Sequence, residues 1–323
     1  MGFYNQLTKN YDYVADDSLS VSEETSASLY EQLVKKHNYQ RHHSRSKYDI
    51  AVYAPAHRTA RFIPFADHLA ATNACNFKLF LCGDIVPDIP LPENVVFLYA
   101  PPDMSPGACV EIAQRAALAE NAEYIMSCAD DIELPAGMLD ALINEVKTCE
   151  VECVAAPIFC FGGVARRRCR HEVGASHIIS YDLSSPIVPI CPVMKTSTLK
   201  KLCSPIGGAI DKRFQGVWWD LDISLRLQEM GIRIKMLPEA VVHEMGSLND
   251  RPGAPGLFER CMDNDMPLLY QLWAPGHRGA PDMKKGMWRW LPLKRVEPVQ
   301  YYSDEDLSFT IHPSTLPCLC LNG

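Results

Sequence analysis

Short apolar runs that stop at proline, glycine or acidic residues fill the middle of the chain. Asp49 to Pro55, Phe77 to Cys82 and Val95 to Tyr99 are three of them, and a fourth starts at Tyr124, empties into Asp130-Asp131 and is stopped by Pro135. Runs this short, bounded by such breakers, predict buried strands. Between them, Arg61 to Ala74 carries apolar residues at helical spacing, and Gly107 to Asn121 is an alanine-rich helix. Further on, the pattern predicts a helix over 136–148, a strand over 152–161 and a proline-interrupted edge strand over 186–193. A short helix begins near Leu199, and a longer one over 220–230 stops at Gly231. Ile232 to Leu237 and Ala240 to His243 are read as the last two strands. Strands alternating with helices imply right-handed βαβ units, hence an α/β fold with a mainly parallel sheet flanked by helices.

The flanks read differently. Residues 1–47 are polar, with a helix expected over 28–37 and a basic run from Lys35 to Lys47 that fits either a solvated linker or a phosphate-contacting arm. Beyond Gly246 prolines and glycines multiply, as in a tail wrapped around a core. Three regions follow: an extension over 1–47, an α/β domain over 48–246 and a C-terminal extension over 247–323. The domain divides into two halves, 48–135 and 136–246.

Composition narrows the class. The 323 residues carry a formal charge of −8, which disfavours a protein whose main work is holding nucleic acid. No apolar run is long enough to span a bilayer, and the N-terminus lacks the layout of a signal peptide. The 13 cysteines include no CxxC pair. They are expected to be reduced thiols in a cytoplasmic protein rather than disulfides or a zinc site.

The candidate chemistry sits where the strands end. Adjacent carboxylates at Asp130 and Asp131 are costly to bury without a positive partner, and a divalent cation bound to phosphates is a common one. Pro55-Ala56-His57-Arg58 and Gly83-Asp84 close two other strands, the position at which α/β sheets bind ligands.

The order strand-Pro-x-His-Arg, strand-Gly-Asp, helix-strand-acidic pair continues through Trp218-Trp219-Asp220-Leu221-Asp222-Ile223-Ser224-Leu225-Arg226, Gly231 and Pro238 to His243. It resembles glycosyltransferases of the family-2 type, with the GT-A (Rossmann-like) fold, over residues 48–245. The resemblance implies transfer of a sugar from a nucleoside-diphosphate donor, UDP-linked in many relatives, to an acceptor hydroxyl with inversion. It implies Mn2+ or Mg2+ held by Asp131 and His243. Asp220 falls at the family's catalytic base, with Asp222 orienting the acceptor or capping the helix. Donor contacts carry over to Pro55, His57, Arg58, Asp84, Arg115 and Asp130. Ala129 departs from the family, which has an aspartate there; Glu133 stands nearby as a compensating acid. Trp219 likewise replaces the usual acid.

For the acceptor, Trp218 and Trp219 suggest an aromatic platform, and Arg166, Arg167 and Arg168 a cationic loop. A second basic stretch, Lys284 to Arg295, interleaves cations with aromatics, a mix that suits phosphate backbones or an anionic membrane surface. The acceptor classes left open are modified nucleic acid, including DNA, lipid-linked sugar and anionic glycan. Two other functions compete: a nucleotidyltransferase, for which no Gly-rich phosphate loop is present, and a catalytically inactive sugar- or nucleic-acid-binding protein on the same fold.

Overall fold

The computed structural model describes residues 48–56, 59–86, 91–129, 132–160, 191–205, 207–216, 218–244, 257–273 and 294–311. The expected helix over 28–37, the basic run before Tyr48, the arginines 166–168 and all of Lys284 to Leu293 lie outside them.

Strand β1, Ile50–Pro55, is followed by α1, Thr59–Thr72, then β2, Phe77–Gly83, and β3, Val95–Tyr99. Next come α2, Pro106–Glu120, β4, Tyr124–Ser127, and a two-residue strand β5, Ile132–Glu133. Helix α3, Met138–Thr148, leads to β6, Cys153–Cys160. After β7, Val193–Lys195, come α4, Thr196–Lys200, α5, Trp219–Glu229, and β8, Arg233–Glu244. Helix α6, Leu257–Trp273, and β9, Thr310–Ile311, complete the described elements.

One sheet runs in the order β5-β8-β6-β7-β4-β1-β2-β3-β9. The ladders β1–β2, β2–β3, β1–β4 and β6–β8 are parallel, while β7, β5 and β9 join antiparallel. Alternation along β1 explains its unbroken apolar run. Ile50, Val52 and Ala54 face one cluster with Leu69 of α1 and Leu139 and Leu142 of α3; Ala51 and Tyr53 face another with Ile112 of α2 and Ile223 of α5. A strand covered by helices on both faces keeps no polar side. The result is three layers.

Two expectations change. The two strands expected over 232–243 form one, β8, with an irregularity where Pro157↔Leu237 gives way to Ile158↔Val241. The residues skipped on β8 are Pro238 to Ala240, and proline lacks the N–H a ladder needs. The stretch beyond 246 is also more than a loose tail. It supplies α6, whose Leu269, Leu272 and Trp273 pack on Leu221 and Leu225 of α5, and it supplies β9 at the sheet edge. Of the edge strand expected over 186–193, only its end is described, and the strand found there is β7. Among the described residues no helix is long and apolar enough to cross a membrane, and the described cysteines are free thiols.

Candidate active site

Chain order places the site. After β1, β2 and β3 are laid out on one side, the chain returns through α2 to place β4 on the other side of β1. Such a reversal leaves a crevice at the carboxyl ends of the two strands. Its walls are Pro55 and Ala56 after β1, and Cys128 and Ala129 after β4; Cys128 N–H donates to Tyr53 O at 2.8 Å. Beside them, β2 ends in Gly83 because nothing larger fits. A Cβ there would lie 1.7 Å from the Ala56 carbonyl oxygen.

Ala129 is half-buried and its methyl packs on the same cluster as Ala54 and Cys128. An aspartate at this place would put its carboxyl among apolar groups, so alanine is consistent with its surroundings. Asp130, Asp131, His57 and Arg58 lie outside the described residues. The backbone on either side of the acidic pair is nonetheless informative. Strand β5, beginning at Ile132, pairs antiparallel with the end of β8, with Ile132 opposite Glu244 and Glu133 opposite His243. His243, more than a hundred residues downstream, is therefore returned to the acidic strand end.

The segment leading into Asp220 is set against the start of α2. That helix is capped by the Ser105 hydroxyl accepting from Ala108 N–H at 3.2 Å. Gly107 N–H donates to Gln215 O at 2.8 Å, and a Cβ on Gly107 would meet Phe214 O at 2.4 Å. The loop before α5 is thus pressed onto the start of α2. Asp265 of α6, fully buried, accepts from Gln215 N–H at 2.8 Å and Gly216 N–H at 2.9 Å. The chain then turns through Trp218, whose φ of 60° is a left-handed conformation rare for a bulky residue. Strain of this kind gathers at functional sites. Asp220, half-buried in the first turn of α5, accepts from Leu221 N–H at 2.8 Å. Loss of water pushes its pKa up to about 6, against the pull of the Leu221 and Asp220 N–H groups.

Other expected site residues are placed elsewhere. Asp222 is fully buried and faces inward. Its Oδ1 accepts from Trp273 Nε1 at 2.9 Å and from Arg295 Nε at 3.1 Å, and its Oδ2 lies 2.9 Å from Arg226 Nε. This makes it a junction of α5, α6 and the C-terminal stretch rather than an acceptor contact. Arg115 is likewise engaged away from the rim: it donates to Glu111, Asp304 and Tyr302 O at 2.8, 2.8 and 2.7 Å. Trp218 packs on the α5–α6 cluster, and Trp219 on that cluster and the α2 side of the sheet. Both are half-buried and anchor the start of α5. Arg295, part of the stretch expected to face anions, has a side chain only 6% exposed and is paired with Asp211 and Asp222.

One buried carboxylate was not foreseen. Asp67 of α1 is 4% exposed, and neither of its oxygens has a hydrogen-bond partner among the described residues. Burial pushes its pKa up to about 6. Its only sequence signal was an acid on the apolar side of a helix, which periodicity alone does not separate from a solvated one.

No protein-family model matches the chain, and no curated protein matches it. Solved structures of similar fold include the following two. One is the mannosyltransferase PcManGT from Pyrobaculum calidifontis in complex with GDP-Man and Mn2+, with a TM-score of 0.44 and 14% identity over 78% of this chain and 79% of that one. The other is S. aureus TarS, with a TM-score of 0.43 and 13% identity over 66% of this chain. This chain covers 38% of the length of TarS. Among the described residues no group of three or more histidine, cysteine or acidic side chains could hold a metal ion; Asp131 is outside them.

Proposed function

We propose that the protein is a glycosyltransferase moving a sugar from a nucleoside-diphosphate donor to an acceptor hydroxyl with inversion. The observation that carries this is the β5–β8 register, which puts His243 opposite Glu133, two residues after the acidic pair. Carboxylate oxygen with neutral imidazole is a donor set suited to Mn2+ and tolerable for Mg2+. Asp131 and His243 are the residues that would hold the ion, and when bound it neutralises charge on the departing diphosphate. Pro55, His57, Arg58, Asp84 and Asp130 line the donor side of the crevice in this reading, with a uridine donor as the first to test.

Asp220 is the base. It takes the proton of the acceptor hydroxyl as that oxygen bonds to the anomeric carbon and the bond from that carbon to the diphosphate oxygen breaks. A carboxylate titrating near 6 is a stronger base than an ordinary aspartate yet mostly ionised at neutral pH. Asp222 and Arg115 serve the scaffold, so neither is assigned to substrate.

The test is a thermal-shift screen of UDP- and GDP-sugars with and without Mn2+. Bound donor stabilises the fold by mass action, about 2.7 kcal/mol at a hundredfold excess over Kd. A donor that raises Tm only with Mn2+, and fails to do so in Asp131→Ala, supports the reading. If no nucleotide sugar shifts Tm and none is hydrolysed or transferred, the reading is wrong.

A further inference from the structure

The C-terminal stretch 294–311 is strapped to the domain along its length. Val296 N–H donates to Leu272 O of α6 at 2.9 Å, and Lys212 N–H to Gln300 O at 2.8 Å. Tyr301 pairs with Asp211, and Tyr301 hydroxyl donates to Leu202 O at 2.8 Å. At the start of the strap, Arg295 enters a buried group of charges. Its Nε donates to Asp222 at 3.1 Å, one terminal nitrogen to Asp211 and the other to the Glu297 carbonyl. Asp211 is also gripped by Arg213, at 2.7 and 3.0 Å, and Arg213 reaches Glu297 of the strap at 2.6 Å. The side chains of Asp211 and Asp222 are 0% and 1% exposed, so the two carboxylates at the centre of this network are shut off from water, while Glu297 at its edge is 40% exposed.

Asp222 is thereby fixed by donors from two other elements, Trp273 of α6 and Arg295 of the strap, besides the ion pair to Arg226 in its own helix. Contacts from several directions fix the rotation of the first turn of α5 as well as its position. Residues two apart on a helix point about 200° apart around the axis, from 3.6 residues per turn. Holding Asp222 inward therefore fixes Asp220 on the opposite side of α5. Only arginine carries a planar fork able to serve Asp211, Asp222 and a carbonyl together; lysine supplies a point charge.

We propose that Arg295 is a positioning residue for Asp220, locking the first turn of α5 to the C-terminal strap through Asp222 and Asp211. The inference rests on the assignment of Asp220 as the base of the transfer. Asp220 shares this side of the molecule with Asp222 and Arg226 of α5, Asp211 and Arg213 of the preceding loop, Asp265 of α6, and Arg295 and Glu297 of the strap. Its own titration is set by loss of water, opposed by backbone N–H groups.

The experiment compares full-length wild type with Arg295→Lys, Arg295→Gln and Trp273→Phe, using Mn2+ and the donor that the screen identifies. Val146→Ala, in the α3 side of the core, is the control for plain loss of stability. Arg295→Lys is expected to lower kcat at least tenfold with donor KM within twofold of wild type, and to move the acidic limb of the pH–rate profile. Trp273→Phe is expected to do the same more weakly, whereas Val146→Ala lowers Tm and leaves kcat alone. If Arg295→Lys and Arg295→Gln lower Tm but keep the wild-type kcat and pH midpoint, the strap is merely structural and the proposal is overturned. Should Arg295→Gln not fold, Arg295→Lys decides. If wild type transfers no sugar at all, the transferase reading has failed. The positioning claim is then read from the carboxyl 13C titration of Asp220, assigned by its loss in Asp220→Asn. A midpoint unmoved by Arg295→Lys overturns it.

Discussion

Asp220 and Asp222 are of one residue type in one helical turn, yet their surroundings differ completely. Asp222 is held by hydrogen bonds from Trp273 and Arg295 to its Oδ1 and by the ion pair to Arg226, while among the described residues Asp220 accepts from backbone N–H groups and loses its water. A group left in that state resists ionisation, which is how a carboxylate becomes a base near neutral pH. Asp220→Asn should therefore cut turnover by about 10^2–10^4 while donor binding, followed by thermal shift, stays at the wild-type level. Wild-type kcat/KM should rise with pH through about 6 and then level, because the proton-accepting form is the ionised one. Asp67 gives a separate test, in stability. Its folded pKa of about 6 lies above that of the unfolded chain, so the folded state binds more protons between those values. The contribution is whole below the unfolded pKa and is lost as pH rises through about 6. Asp67→Asn should then stabilise the protein by up to roughly 3 kcal/mol at pH 8 and by little at pH 4, measured by urea unfolding at both.

At the scale of elements, the loop from Ser204 to Gly216 is set against α2 with little tolerance. A Cβ on Gly208 would fall 1.6 Å from Glu111 Oε1. That carboxylate has no room to retreat: it is fully buried, bonded to Arg115 at 2.8 Å, and accepts from Ile210 N–H at 3.2 Å. Burial pushes its pKa up, although Arg115, the Ile210 N–H and Arg226 pull it down. Gly208→Ala should cost about 1–3 kcal/mol from overpacking, read from the denaturation midpoint, and should raise protease sensitivity in this loop. The elements themselves were largely readable in the chain. Apolar runs gave β1, β2 and β3 to within a residue or two, the run from Tyr124 gave the start of β4 but not the break before β5, and helical spacing gave α1, α2 and α5. Helix α6 was missed because Pro267 interrupts its pattern and prolines and glycines surround it. The two strands read over 232–243 were one, because a bulge lets Pro238 stay within a continuous strand without donating to the ladder.

For the whole molecule, the C-terminal strap turns a tail into a structural member. It adds β9 to β3, reaches α2 through Asp304, and inserts Arg295 between Asp211 and Asp222. Burial raises the Asp211 carboxyl, but bonds from Arg213 and Arg295 outweigh it and hold the group below its ordinary range. Ending the chain at residue 293 would remove a cation from two buried carboxylates. Losing one partner of a buried pair costs about 3–5 kcal/mol, so the truncated protein should melt well below the full chain in calorimetry. If it melts at the same temperature, the strap is no part of the cooperative unit.

The sequence by itself determined the layers and the chemistry at their edge: periodicity is a local property, and the acidic pair, Asp220 and His243 carry their functional groups wherever they lie. Tertiary structure alone decided that Asp222 is locked inside, because that depends on partners such as Trp273 and Arg295 that are more than fifty residues away. It also decided that His243 returns to the acidic strand end. That juxtaposition comes from the β5–β8 register, and pairing between distant strands is written in no local stretch of the chain.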